Sequence, residues 1–164
     1  MEISNFKDMY LAELQELMSV ETQLGQVLER MGEAASNETL KQILLRHHDE
    51  TRVQQKRLEL LLARHGANPQ AHADQAMQAL VHETDKMIDM LKGDELRDSG
   101  LIASAQKLEH YQIAAYGTAA ALAGQLDLRE DQRLLHKSLE EEKHADAQLT
   151  ALAKGEVNRH AIAA

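Results

Sequence analysis

At 164 residues the chain is long enough for one domain with a sizeable buried core. One proline, eight glycines and an abundance of Ala, Leu, Glu and Gln give high helix propensity and leave little room for strands, while an aromatic content of 2% removes the rings on which nucleobases stack. The balance of 27 acidic against 18 basic side chains disfavours nucleic acid and favours cations as small partners; with no cysteine, any metal must be held by oxygen and nitrogen, and a cytoplasmic location fits.

The N-terminal stretch Met1-Glu2-Ile3-Ser4-Asn5-Phe6-Lys7 has no basic region followed by an apolar run, and no stretch approaches the ~18 apolar residues of a membrane span, so neither export nor a membrane partner is expected. The first predicted helix covers about Asn5 to Ala35, with Leu14, Leu17, Met18, Leu24, Leu28 and Met31 in one stripe. Ser36-Asn37-Glu38 breaks it, and Asn37 is placed to cap a second helix over about Glu38–Arg64, which stops at His65-Gly66 with Pro69 following. A shorter third stretch, about Gln70–Leu91, ends at Lys92-Gly93-Asp94 and reads as a crossover. The fourth helix spans about Glu95–Ala123, with Gly124 near its end, and the fifth about Arg129–Ala153; residues 154–164 read as a loosely held tail. Two hairpins of long helices joined by a longer connection make an all-α, up-and-down bundle of four helices with one additional shorter helix, the topology of ferritin-like folds and equally of a plain helical bundle.

Residues three, four or seven apart share a helix face, so polar intruders in an apolar stripe can be located. Leu14, Met18, Leu24 and Leu28 bracket Glu21. Between Leu44 and Leu58 the second helix turns His47, Glu50 and Gln54 inward. Ala105, Ile113 and Tyr116 bracket Glu109 and Gln112, and Leu135, Leu139 and Leu149 bracket Glu142 and Asp146. Taken singly, each glutamate would ordinarily be solvated or salt-bridged. One on every long helix is different, because unpaired carboxylates gathered in a core cost several kcal/mol each unless protonated or neutralised, and no inward Lys or Arg stands out. Two divalent cations would balance Glu21, Glu50, Glu109 and Glu142, with His47, Gln54, Gln112 and Asp146 as auxiliary ligands or supports. His110 and His144 turn sideways or outward, Tyr10 and Tyr116 read as core packing, and Glu140 and Glu141 as a solvated face.

The segments Val20-Glu21-Thr22-Gln23-Leu24, His47-His48-Asp49-Glu50-Thr51, Ala105 to Tyr111, Ala115-Tyr116-Gly117-Thr118 and Leu139 to Lys143 together resemble the YciE/YciF-like bacterial stress proteins of the ferritin-like superfamily, over nearly the whole chain. The resemblance implies a ferritin-like bundle, a homodimer and a di-iron-type centre linked to stress. Two departures bear on its chemistry. The ferritin-like pattern places a histidine three residues after a glutamate on two helices, where this chain has Val53 and Ala145, and the family often carries an acid where Gln112 stands. The expected di-metal centre is therefore rich in carboxylate and hard, suiting Fe first and Mn or Mg otherwise. Redox chemistry toward oxygen or peroxide is one expected function, and a non-catalytic dimeric stress or interaction protein with a degenerate site is the alternative.

Overall fold

The structure, a computed structural model, describes residues 3–164; Met1 and Glu2, part of the N-terminal stretch discussed above, lie outside it. Four long helices, α1 (Phe6–Ala34), α2 (Glu38–Arg64), α4 (Asp94–Gln125) and α5 (Arg129–Leu152), stand with a shorter α3 (Gln75–Met90), and among the described residues there is no strand. None of the helices is long and apolar enough to cross a membrane.

Side-chain caps set the starts of α1, α2 and α3. Asn5 and Asn37 cap α1 and α2, their amide oxygens accepting from the Asp8 and Leu40 backbone N–H groups at 3.0 Å. At the end of α2, Gly66 takes a left-handed φ of 64°, so that its N–H reaches the Ala63 carbonyl and that of Ala67 the Leu62 carbonyl. The end of α4 departs from expectation. It closes with the same pair of bonds two residues later than anticipated, and Asp127, not Gly124, adopts the left-handed conformation at φ 55°. At Gly124 a Cβ would meet the Gln132 side-chain amide, which would have to swing aside.

The third helix is shorter than its apolar pattern suggested, because residues 70–74 are held outside it. Asp74 caps α3 by accepting from the Met77 N–H at 2.6 Å, and is itself fixed by Tyr111 Oη at 2.6 Å and, through its own N–H, by Ser19. From there α3 lies across α1 and α4, seating Met77, Leu80, Val81 and Ile88 on the core. Beyond α5, where a loose tail was expected, the backbone makes one π-helical turn, Ala153–Val157, and a short α6, Asn158–Ala163. Val157 is buried, Asn158 accepts from Ser99 at 2.7 Å, and Glu156 accepts from Asn37 at 2.8 Å.

Around the bundle α1 touches α2 and α4, and α5 touches α4 and α2. Contacts such as Arg46 with Gln148 and Arg64 with Asp131 run in opposite sequence directions, so α2 and α5 are antiparallel. The buried side chains form two apolar clusters. One holds Leu24, Leu28 and Met31 against Leu40, Leu44, Leu101 and Leu149; the other holds Tyr10, Leu14 and Leu17 against Leu58, Leu62, Ala119 and Leu135. Between them the bundle is filled by polar residues from all four long helices.

Candidate metal centre

The polar layer follows from the same register that builds the two clusters. On α1 the inward positions run Tyr10, Leu14, Leu17, Glu21, Leu24, Leu28, and on α2 they run Leu44, His47, Thr51, Gln54, Leu58, Leu61, all 3% exposed or less. The heptad-like spacing is unbroken; only the chemistry changes, to carboxylate, imidazole, hydroxyl and amide. Glu109 and Gln112 on α4 and Glu142 on α5 complete the layer, each buried to 1% or less.

His47 stands at its centre. Its Nε2 lies 3.1 Å from Glu109 Oε1 and 3.4 Å from Glu142 Oε2, and its Nδ1 lies 3.5 Å from Glu50. One donor atom from each of His47, Glu109 and Glu142 falls within 4.8 Å of the others, a spacing a metal ion can span. Glu142 also accepts a hydrogen bond from the Gln54 amide, which donates to Glu141 at 3.2 Å as well. On the other side, Glu21 Oε1 accepts from Gln112 Nε2 at 3.0 Å and from Tyr116 Oη at 2.5 Å.

These bonds leave many buried atoms without hydrogen-bond partners: one oxygen of each of Glu21, Glu109 and Glu142, both His47 nitrogens, the Thr51 hydroxyl and the amide oxygens of Gln54 and Gln112. Proteins rarely bury such groups unsatisfied, and here they concentrate in one layer. Oxygen and imidazole donors without hydrogen-bond partners match what a hard divalent cation takes up, so the residues present fit the metal that the resemblance implies.

Electrostatics tells the same story. Burial pushes the Glu21 carboxyl up to about 7, against the lowering effect of its Tyr116 and Gln112 hydrogen bonds and of His47. Burial likewise drives Glu142 well above the carboxylate range, although His47 pulls it down. Burial alone would lower His47, but the charges of Glu109 and Glu142 outweigh it and hold the imidazole well above its ordinary value. Tyr116 is raised well above a free phenol by burial and by Glu21. Without a cation, the layer holds protons in its place.

Of the residues expected here, Glu21, His47, Gln54, Glu109, Gln112 and Glu142 come together. Glu50 and Asp146 do not join the buried group. On α2 the core-facing sequence is His47, Thr51, Gln54, and Glu50, about 60° to one side of His47, is left at the rim with its side chain 38% exposed; the nearby imidazole, 3.5 Å away, lowers its pKa. Asp146 sits one turn beyond Glu142, where Gln106 donates to it at 2.9 Å and the exposed His110 lies 3.4 Å away. Tyr116, read from the sequence as packing, instead bonds a buried acid. Its position four residues after Gln112 carries that information, as does that of Thr51, four after His47. Glu141 is not merely solvated, for it is clamped by both terminal nitrogens of Arg57, itself three residues from Gln54.

Residues 5–162 match the family described as a domain of unknown function, DUF892. The chain is 38% identical over 162 residues to protein YciF of Escherichia coli strain K12, covering 98% of both chains. Its fold matches the crystal structure of the E. coli stress protein YciF with a TM-score of 0.90, at 38% identity over 95% of this chain and 99% of that one. It also matches the solved structure of YcfI from Rhodopseudomonas palustris with a TM-score of 0.88, at 33% identity over 91% of this chain and 95% of that one.

Proposed function

Because this chain belongs to the DUF892 family, with the ferritin-like fold and a stress protein among its relatives, we propose that it is a stress-response metalloprotein whose central layer takes up two divalent cations, iron first and manganese or magnesium otherwise. The observation that carries this reading is the buried His47, Glu109 and Glu142 group, which offers donor atoms within one ion's reach and in which every residue keeps an atom without a hydrogen-bond partner. Glu21 inside and Glu50 at the rim bring the carboxylates to four, enough to balance two divalent charges. Bound iron would supply one-electron chemistry toward dioxygen or peroxide. The chain's own residues supply the ligands, a Tyr116 phenol that donates to Glu21, and two apolar clusters that keep bulk water from the layer.

Metal analysis of protein purified without chelator, followed by peroxide consumption after anaerobic loading with Fe(II), tests this reading. We expect iron in more than trace amount and consumption above that of free Fe(II). A protein that takes up no divalent cation would overturn it. Cation uptake without peroxide or oxygen consumption favours the second reading, a non-catalytic stress or interaction protein, which Val53 and Ala145 support by standing where nitrogen ligands are expected. A homodimer belongs to either reading. It is supported by the family resemblance and by Leu45, Val53 and Leu60, each more than 40% exposed within one arc of α2, and sedimentation at micromolar concentration checks it.

A further inference from the structure

Resting on the reading of the polar layer as a cation site, we infer that its two positions are unequal: His47, Glu109 and Glu142 take the first cation, and Glu21 with the Gln112 amide oxygen holds a second one more weakly. At the first position the three ligand atoms are already gathered within 4.8 Å, and each residue keeps an atom without a hydrogen-bond partner. Two carboxylates and a neutral imidazole cancel one divalent charge. Glu21 stands outside that group, and one of its oxygens is already engaged by two donors, Tyr116 at 2.5 Å and Gln112 at 3.0 Å. Its other oxygen and the Gln112 amide oxygen are buried without partners, so a second cation has ligands there. It would find one negative charge where the first finds two. The remaining carboxylate, Glu50, lies at the rim on the His47 side and does not redress the difference. The asymmetry is built into the chain: Tyr116 and Gln112 on α4 address Glu21 of α1, while the first position draws on α2, α4 and α5.

Titration of metal-free protein with Mn(II), free Mn(II) being counted by its six-line electron paramagnetic resonance spectrum, separates the two positions. Wild type should bind one cation tightly and a second at least about tenfold more weakly. Glu21→Gln should retain the first within about threefold and lose the second. His47→Ala should lose the first, with His47→Gln in its place if the smaller side chain unfolds the protein. Tyr116→Phe, which removes the shorter of the two hydrogen bonds held by the engaged Glu21 oxygen, should tighten the second about tenfold and leave the first unchanged. Two equal cations in wild type, or loss of the first in Glu21→Gln, overturns the assignment while leaving the metal reading intact. Failure to bind any Mn(II) or Fe(II) overturns both.

Discussion

Among the carboxylates this bundle buries, Asp131 and the central glutamates are accommodated in opposite ways. Asp131, in the first turn of α5 and 4% exposed, accepts from Tyr10 Oη at 3.0 Å and Arg64 Nη1 at 3.0 Å, and lies 2.7 Å from His65 Nε2. Its charge is met by a guanidinium, its oxygens are all engaged, and it sits at a helix N-terminus that favours an anion. Glu21, Glu109 and Glu142 lie mid-helix, without a buried Arg or Lys beside them, and each keeps an oxygen with no hydrogen-bond partner. The comparison separates a carboxylate that holds the fold together from carboxylates the fold holds ready. The first kind stabilises whatever the solution contains; the second should cost stability until something neutralises it.

The largest effect should come from breaking the satisfied site. Asp131→Ala would leave the Tyr10 hydroxyl, Arg64 and His65 without their shared acceptor, and should destabilise by about 3–5 kcal/mol with or without metal, as read from urea unfolding. A loss below about 1 kcal/mol would place Asp131 with the central acids.

Next in size is the pH dependence of the metal-free protein. Glu21 moves from 4.5 in the unfolded chain to about 7, so the folded state binds the proton more tightly, and the stability this brings is complete below about 4.5 and lost as pH rises through about 7. Glu142 and His47, both raised, act in the same direction. The Glu21 contribution alone is on the order of 3 kcal/mol. Urea midpoints of chelator-treated protein should therefore fall between pH 5 and 7.5, and Glu21→Gln should flatten the slope. The same midpoints rising with pH would mean that the layer is not desolvated.

The smallest effect is expected at an exposed pair. Arg133 and Glu130 contact at 2.7 Å with both side chains more than half exposed, and Glu130→Ala should leave the melting temperature within the scatter of repeat measurements, with or without metal. A larger effect there would weaken the contrast between surface ion pairs and the buried network at Asp131.

Much of the centre is legible in the sequence because the stripe on α1 is regular: Leu14, Leu17, Glu21, Leu24 and Leu28 can be aligned on one face without a structure. Glu50 could not be placed as well. Spacing groups it with His47, three residues away, yet the face is fixed by His47, Thr51, Gln54 and Leu58, and only the packing of α5 decides which side of His47 is the interior. The Asp131 network was not legible at all. Tyr10 and Asp131 are 121 residues apart, and nothing local marks an acid at the start of α5 as buried. Helix ends were readable where a capping Asn or Gly stood alone, as at Asn37 and Gly66. The end of α4 is harder to read, because the residue that takes the left-handed turn there is Asp127 and not a glycine.

The most direct test of the contrast is thermal unfolding of the metal-free protein with and without Fe(II) or Mn(II), anaerobically, for wild type and Glu142→Gln. A cation at a hundredfold excess over its dissociation constant, bound only by the folded state, stabilises by about 2.7 kcal/mol, or roughly 5–10 °C for a domain of this size. The account predicts that shift in wild type and its loss in Glu142→Gln, whose metal-free form should melt at or above the wild-type temperature because a side chain that is always neutral replaces a buried acid that must be protonated to fold. An unchanged wild-type melting temperature, or equal shifts in the two proteins, would contradict it.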